Sequence, residues 1–208
     1  MKLWLASSNV ELVTRYMASG VFAGVVTNPA VVAEAKRDKH ELFRELVQIA
    51  PVAWYQLLAG SESAMLADAE KMLAINPERM RIKVPATRIG LGVIRKLSDQ
   101  GLRIMATCVP TRPWMLLALA AGAKVIAPYG SMLQKRGIAS KAEEVVAMQE
   151  IIDRQQPEAE ILTGLYDPTE LAFYARHGIR SGFIWGKDVE TFLTQPLADE
   201  AAATFGGY

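Results

Sequence analysis

The 208-residue chain carries a net charge of +1 and is 51% hydrophobic. That balance fits one soluble domain with a sizeable core, and it offers neither a basic field for nucleic acid nor a polybasic patch for a membrane surface. One cysteine, Cys108, excludes an intramolecular disulfide, and two histidines, His40 and His177, cannot build a Cys/His metal cluster.

The apolar run at Met1–Ala6 is far too short for a signal peptide, and no stretch reaches the roughly 20 apolar residues of a membrane span. The expected location is a reducing cytoplasm. In chain order, short apolar runs of strand character alternate with longer segments of helical period. A strand at Lys2–Ala6 precedes a helix at Val10–Ala18, and a strand at Gly24–Thr27 precedes a helix at Ala30–Gln48. Val52–Leu58 then leads into Ser61–Ile75, and Met80–Val84 into Gly90–Asp99. The second half repeats the unit with strands at Arg103–Thr107, Lys124–Pro128, Glu160–Gly164 and Ser181–Trp185. Their helices are Trp114–Ala121, Ser140–Arg154, Pro168–Arg176 and Asp188–Thr204, the last broken or kinked at Pro196. Asp167 before Pro168 reads as an N-cap, and Gly101, Gly122 and Gly178 stand where helix-ending glycines belong.

Eight βα units with short connections predict an α/β fold, a single (β/α)8 TIM barrel over residues 1–208 with a short C-terminal helical tail from about residue 188. Such barrels usually take about 250 residues, so this one must be compact. No Gly-x-Gly-x-x-Gly follows the first strand, which counts against a dinucleotide fold, and no cofactor is called for.

In a barrel of this type, chemistry sits at the carboxyl ends of the strands. Lys83, in Arg81-Ile82-Lys83-Val84-Pro85, lies within an apolar strand where a charge is costly. It can pair, reach water or lose its proton, and a neutral amine attacks carbonyls to form an iminium. Period-two alternation puts Arg81, Lys83 and Pro85 on one face, so Arg81 is expected in an ion pair or network at the barrel floor. Polar residues close other strands too: Thr27 and Asn28, Gln56, Thr107, and Tyr129 after the sixth.

At these positions the sequence resembles the transaldolase family, in particular its small fructose-6-phosphate aldolase-like branch. The motifs are Gly24-Val25-Val26-Thr27-Asn28-Pro29, Ile82-Lys83-Val84-Pro85-Ala86-Thr87 and Ala127-Pro128-Tyr129, with correspondence over nearly the whole chain. The resemblance implies that Lys83 forms the iminium with a ketose or ketone and that Asn28, with Thr27 beside it, binds donor hydroxyls. It implies too that Gln56, Thr107 and Tyr129 hold a catalytic water and move protons, and that the chain assembles as a homo-oligomer, a pentamer or a decamer. Transaldolases proper carry glutamate and phenylalanine where this chain has Gln56 and Tyr129, so the pattern favours aldol cleavage and addition.

Three departures accompany the resemblance. The family's aspartate ending the first strand is Ala6, its phosphate-contacting arginine aligns with Met132, and its serine after the seventh strand aligns with Leu165. Lys135, Arg136 or Arg112 would have to supply positive charge to a phosphate. The expected acceptor is therefore unphosphorylated, bulkier or more apolar, with Trp185 lining its pocket or packing in the core. The reading is a Schiff-base, metal-independent aldolase joining a dihydroxyacetone- or hydroxyacetone-like donor to an aldehyde. Its alternatives are three-carbon transfer between sugar phosphates, or a sugar-binding homologue weakened by Ala6.

Overall fold

A computed structural model describes residues 1–206. Eight parallel strands close into a barrel in chain order, each paired with its sequence neighbours and β1 with β8. The first four are β1 (Lys2–Ala6), β2 (Phe22–Val26), β3 (Ala53–Gln56) and β4 (Met80–Pro85). The others are β5 (Met105–Val109), β6 (Val125–Pro128), β7 (Glu160–Leu165) and β8 (Ser181–Trp185). Around them run α1 (Val10–Met17), α2 (Pro29–Glu34), α3 (Lys39–Ile49), α4 (Glu62–Leu73), α5 (Arg88–Asp99) and α6 (Arg112–Ala120). The ring continues with α7 (Gly130–Lys135), α8 (Lys141–Gln155), α9 (Pro168–Arg176), α10 (Val189–Leu193) and α11 (Pro196–Phe205).

Strand alternation sorts the core into two parts. Trp4, Val26, Trp54, Met105, Val125 and Leu162 form an inner cluster that Phe183 and Trp185 pack against. Trp4 and Trp54 meet edge to face with centroids 6.3 Å apart. The larger outer cluster joins the opposite strand faces, such as Leu5, Ile82 and Val84, to helix residues such as Leu46, Val93 and Ile152. This division is what a filled barrel demands, since inward side chains can touch only one another.

Several expectations change in detail. The run Ala30–Gln48 is two helices, because Lys36 takes a left-handed φ of 51° and Asp38 starts a new helix by accepting from the amides of His40 and Glu41. The helix α7 directly after Tyr129 was not expected. In the tail, a single 3₁₀ turn (Gly186–Asp188) and α10 precede α11, with Pro196 opening the last helix. Gly101, Gly122 and Gly178 do adopt left-handed φ values of 81°, 104° and 78° at helix ends. Arg81 makes no ion pair among the described residues; its Nη1 donates to the carbonyls of Met80 at 2.7 Å and Pro77 at 3.4 Å. At the barrel floor the ion pair is instead Arg103–Glu160, with Ser181 Oγ donating to Glu160 at 2.8 Å.

The return from β4 into α5 is tight. Thr87 caps α5 by accepting from the Gly90 amide at 3.0 Å, and a Cβ at Gly90 would fall 1.9 Å from the Pro85 carbonyl oxygen. Backbone would have to move two residues from Lys83. Gly90→Ala should therefore cost about 2–3 kcal/mol of stability in urea unfolding. Gly60→Ala, with nothing within 4 Å of the added Cβ, should stay within about 0.5 kcal/mol.

Candidate active site

The carboxyl ends of the strands enclose a cavity of about 260 Å³. Asn28 follows β2, Gln56 ends β3, Lys83 lies in β4, Thr107 in β5 and Tyr129 follows β6, and all five line it. Register explains the convergence: Gln56 stands beside Lys83, and Pro85 beside Thr107. Trp185 also lines the cavity and meets Phe183 edge to face at 5.1 Å.

Lys83 is 7% exposed, and its Nζ donates to the Thr27 carbonyl at 3.3 Å. That is a single neutral partner for a buried amine. Burial lowers its pKa from 10.5 to about 8, with Coulombic attraction to the Cys108 sulfur as a smaller effect the other way. Cys108 has φ 57° within the register shift between Ala106 and Val109, and burial raises its own pKa. Thr107, only 2% exposed, shares the inward face of β5 with Met105 and lines the cavity.

Asn28 is held by the start of α2. Its Oδ1 accepts from the Val31 amide at 2.9 Å, and Pro29 occupies the first helical position, where a missing amide costs nothing. With Oδ1 committed, the Nδ2 group is the end left to donate into the cavity. Thr27 is placed differently from the sequence expectation. It does not line the cavity: its Oγ1 donates to the Trp54 carbonyl at 2.9 Å, and its own carbonyl receives Lys83. Tyr129, 44% exposed, stands at the cavity rim as the residue before α7.

Sequence reasoning missed Ser131, Lys141, Thr163 and Tyr166, which also line the cavity. Thr163 alone carried a signal, as a polar residue in the apolar strand β7. Arg112, named for phosphate, pairs with Glu144 at 3.2 Å. Lys135 lies in a neighbouring groove of about 630 Å³ that includes Ala6 and shares Tyr166 and Trp185 with the cavity.

A sequence profile described as Transaldolase/Fructose-6-phosphate aldolase matches residues 3–169. The chain belongs to this family. A "Probable transaldolase" of Alkaliphilus metalliredigens (strain QYMF) is 30% identical over 208 residues, covering 99% of this chain and 96% of its own. One from Clostridium acetobutylicum is 28% identical over 202 residues, covering 96% and 93%. A solved structure described as native KDPGal superposes with a TM-score of 0.61 at 14% identity, over 90% of this chain and 84% of that one, a likeness of fold. This family member is an enzyme of aldolase or transaldolase type. No helix among its described residues is long and apolar enough to cross a membrane.

Because the folded pKa of Lys83 lies below its ordinary value, the folded state carries the desolvation cost whenever the amine is protonated in both states, below about pH 8. That cost is about 3 kcal/mol at most; it fades between pH 8 and 10.5 and is gone above. Lys83→Met should thus be more stable than the parent protein at pH 7, with the difference closing as urea unfolding is repeated toward pH 10.5. Reductive methylation of Lys83, followed by peptide mass, should rise with pH about a midpoint near 8.

Proposed function

We propose that this enzyme is a Schiff-base aldolase, and that the observation carrying the reading is the buried, singly bonded amine of Lys83 on the wall of a cavity lined by neutral polar groups. The neutral amine attacks the carbonyl carbon of a dihydroxyacetone- or hydroxyacetone-like ketone, and loss of water leaves a cationic iminium. In the cleavage direction the iminium forms instead on the ketone of the aldol; the bond between its α carbon and the carbinol carbon breaks, and those electrons move toward the iminium nitrogen, giving the donor's enamine and the free aldehyde. The hydroxyl proton of the departing aldehyde passes to a water held by Gln56 and Thr107, with Tyr129 as the proton carrier. The same relay returns a proton to the enamine carbon, and water hydrolyses the resulting iminium to free ketone and amine. Asn28, oriented by its cap, donates to a donor oxygen. Trp185 walls the cavity where β8 meets Ala6. Thr27 acts through its carbonyl by aiming Lys83.

Neutral Gln56 and half-exposed Tyr129 support aldol addition and cleavage. A second reading, three-carbon transfer between sugars, is favoured by the "Probable transaldolase" relatives. Both use the same iminium and differ in whether water or a second aldehyde takes the enamine. The free thiol of Cys108 supports a reducing cytoplasm as the place of work.

Assembly belongs to the same proposal. Every described residue of α11 is exposed, with Leu197 at 73% and Phe205 at 72%, and such apolar side chains support packing against further copies of this chain in a pentamer or decamer. Light scattering should give the mass of that ring, and Leu197→Asp with Phe205→Asp should shift it to smaller species; a monomeric parent protein would count against the assembly.

The reaction is checked by intact mass after incubation with dihydroxyacetone, hydroxyacetone or fructose 6-phosphate and then borohydride. A donor-sized adduct is expected in the parent protein and absent in Lys83→Met. Cleavage of fructose or fructose 6-phosphate without an added aldehyde marks the aldolase, and a requirement for an added aldehyde marks the transferase. Sugar affinity with no adduct from any donor would reduce the protein to a binding homologue.

A further inference from the structure

The cavity holds a second lysine with a different fate. Lys141 is the first residue of α8 and is 6% exposed. An ammonium has three N–H donors and no acceptor. Nζ donates to both carboxylate oxygens of Glu170 at 2.9 Å and to the Gly164 carbonyl at 2.8 Å, so all three are consumed. The Tyr166 ring lies 4.2 Å from Nζ and the Tyr174 ring 5.3 Å, which covers the charge further. Glu170 is fixed in turn by accepting from the Tyr166 amide at 2.8 Å. The stem of Lys141 lies against Gly130, where a Cβ would approach its Cγ to 3.0 Å. Backbone, carboxylate and aromatic rings thus lock the amine with its charge cancelled.

A phosphate dianion is held best by an uncommitted cation, whose hydrogen bonds are roughly twice as strong as those of neutral donors. Lys141 offers no uncommitted charge, and Lys83 is reserved for the carbonyl. The remaining polar lining is neutral, including the amides of Asn28 and Gln56 and the hydroxyls of Thr107, Ser131 and Thr163. Beyond Tyr166 and Trp185, the groove with Lys135 and Lys187 also holds Glu34 and Asp188. Resting on the aldolase reading above, we infer that the Lys141–Glu170 pair makes the site select uncharged, unphosphorylated hydroxy-carbonyl substrates.

The test compares glyceraldehyde with glyceraldehyde 3-phosphate as acceptors for hydroxyacetone, alongside calorimetric titration with inorganic phosphate. In the parent protein kcat/KM should favour glyceraldehyde by about tenfold or more, the equivalent of one charge-assisted hydrogen bond, and millimolar phosphate should not bind. Glu170→Gln keeps an acceptor for Tyr166 while freeing the charge of Lys141. It should narrow the ratio by about tenfold and bind phosphate, and adding Lys141→Met should abolish that binding. A parent protein that prefers the phosphorylated acceptor overturns the inference without recourse to any variant. Phosphate binding in the parent protein that Lys135→Ala or Lys187→Ala removes overturns it too, by placing the anion in the groove. Failure to trap any adduct on Lys83 would instead sink the aldolase reading, and the phosphate titration, which needs no turnover, would still decide the charge question.

Discussion

The mouth of this barrel is organised around the cost of keeping one amine out of water. Lys83 has a single carbonyl partner, and desolvation alone accounts for its fall to about 8. Had a carboxylate stood at hydrogen-bond distance, Coulomb attraction would have raised the pKa and held the proton on the amine. The groups that share the cavity wall with it, Asn28, Gln56 and Thr107, can orient a substrate without supplying charge. The other charged group on that wall, Lys141, is closed into a pair with Glu170, which limits its field.

Precision at the site comes from using the same residues for local structure. Asn28 caps α2 with one end of its amide and presents the other to the cavity. Thr27 ties β2 to β3 through its hydroxyl and aims Lys83 through its carbonyl. Thr87 caps α5 while Gly90 allows that helix to close on Pro85, setting the height of the strand that carries the lysine. A substitution at Thr27, Thr87 or Gly90 would act on the amine without touching the substrate, as a positioning change.

The barrel was legible because buried parallel strands are short apolar runs and their helices have a longer period, and eight repetitions leave little ambiguity. Helix boundaries were less so. Asp38 lies in the polar run Lys36-Arg37-Asp38-Lys39, where a cap looks like any solvated charge, and α7 has six residues and no capping side chain. Lys83, Gln56 and Thr107 stood out because each is polar in an apolar strand. Lys141 and Tyr166 did not, since one begins a helix and the other lies in a loop, where polar and aromatic residues are ordinary. Thr27 was legible as a residue of the site, but it is the pairing of β2 with β3 that turns its hydroxyl to the Trp54 carbonyl and leaves its own carbonyl to the lysine.

Ala6 fits the same electrostatic logic. It shares the inner cluster with Trp4 and stands in register with Trp185, so its side chain is on the inward face of β1. An aspartate there would add negative charge to the barrel mouth and favour the protonated lysine. With alanine, β1 itself ends without a carboxylate, and Glu170 is tied to Lys141. Without that anion, and with Glu170 so held, desolvation is the largest influence on the Lys83 amine, opposed by Cys108, in a cavity whose other polar groups are hydroxyls and amides.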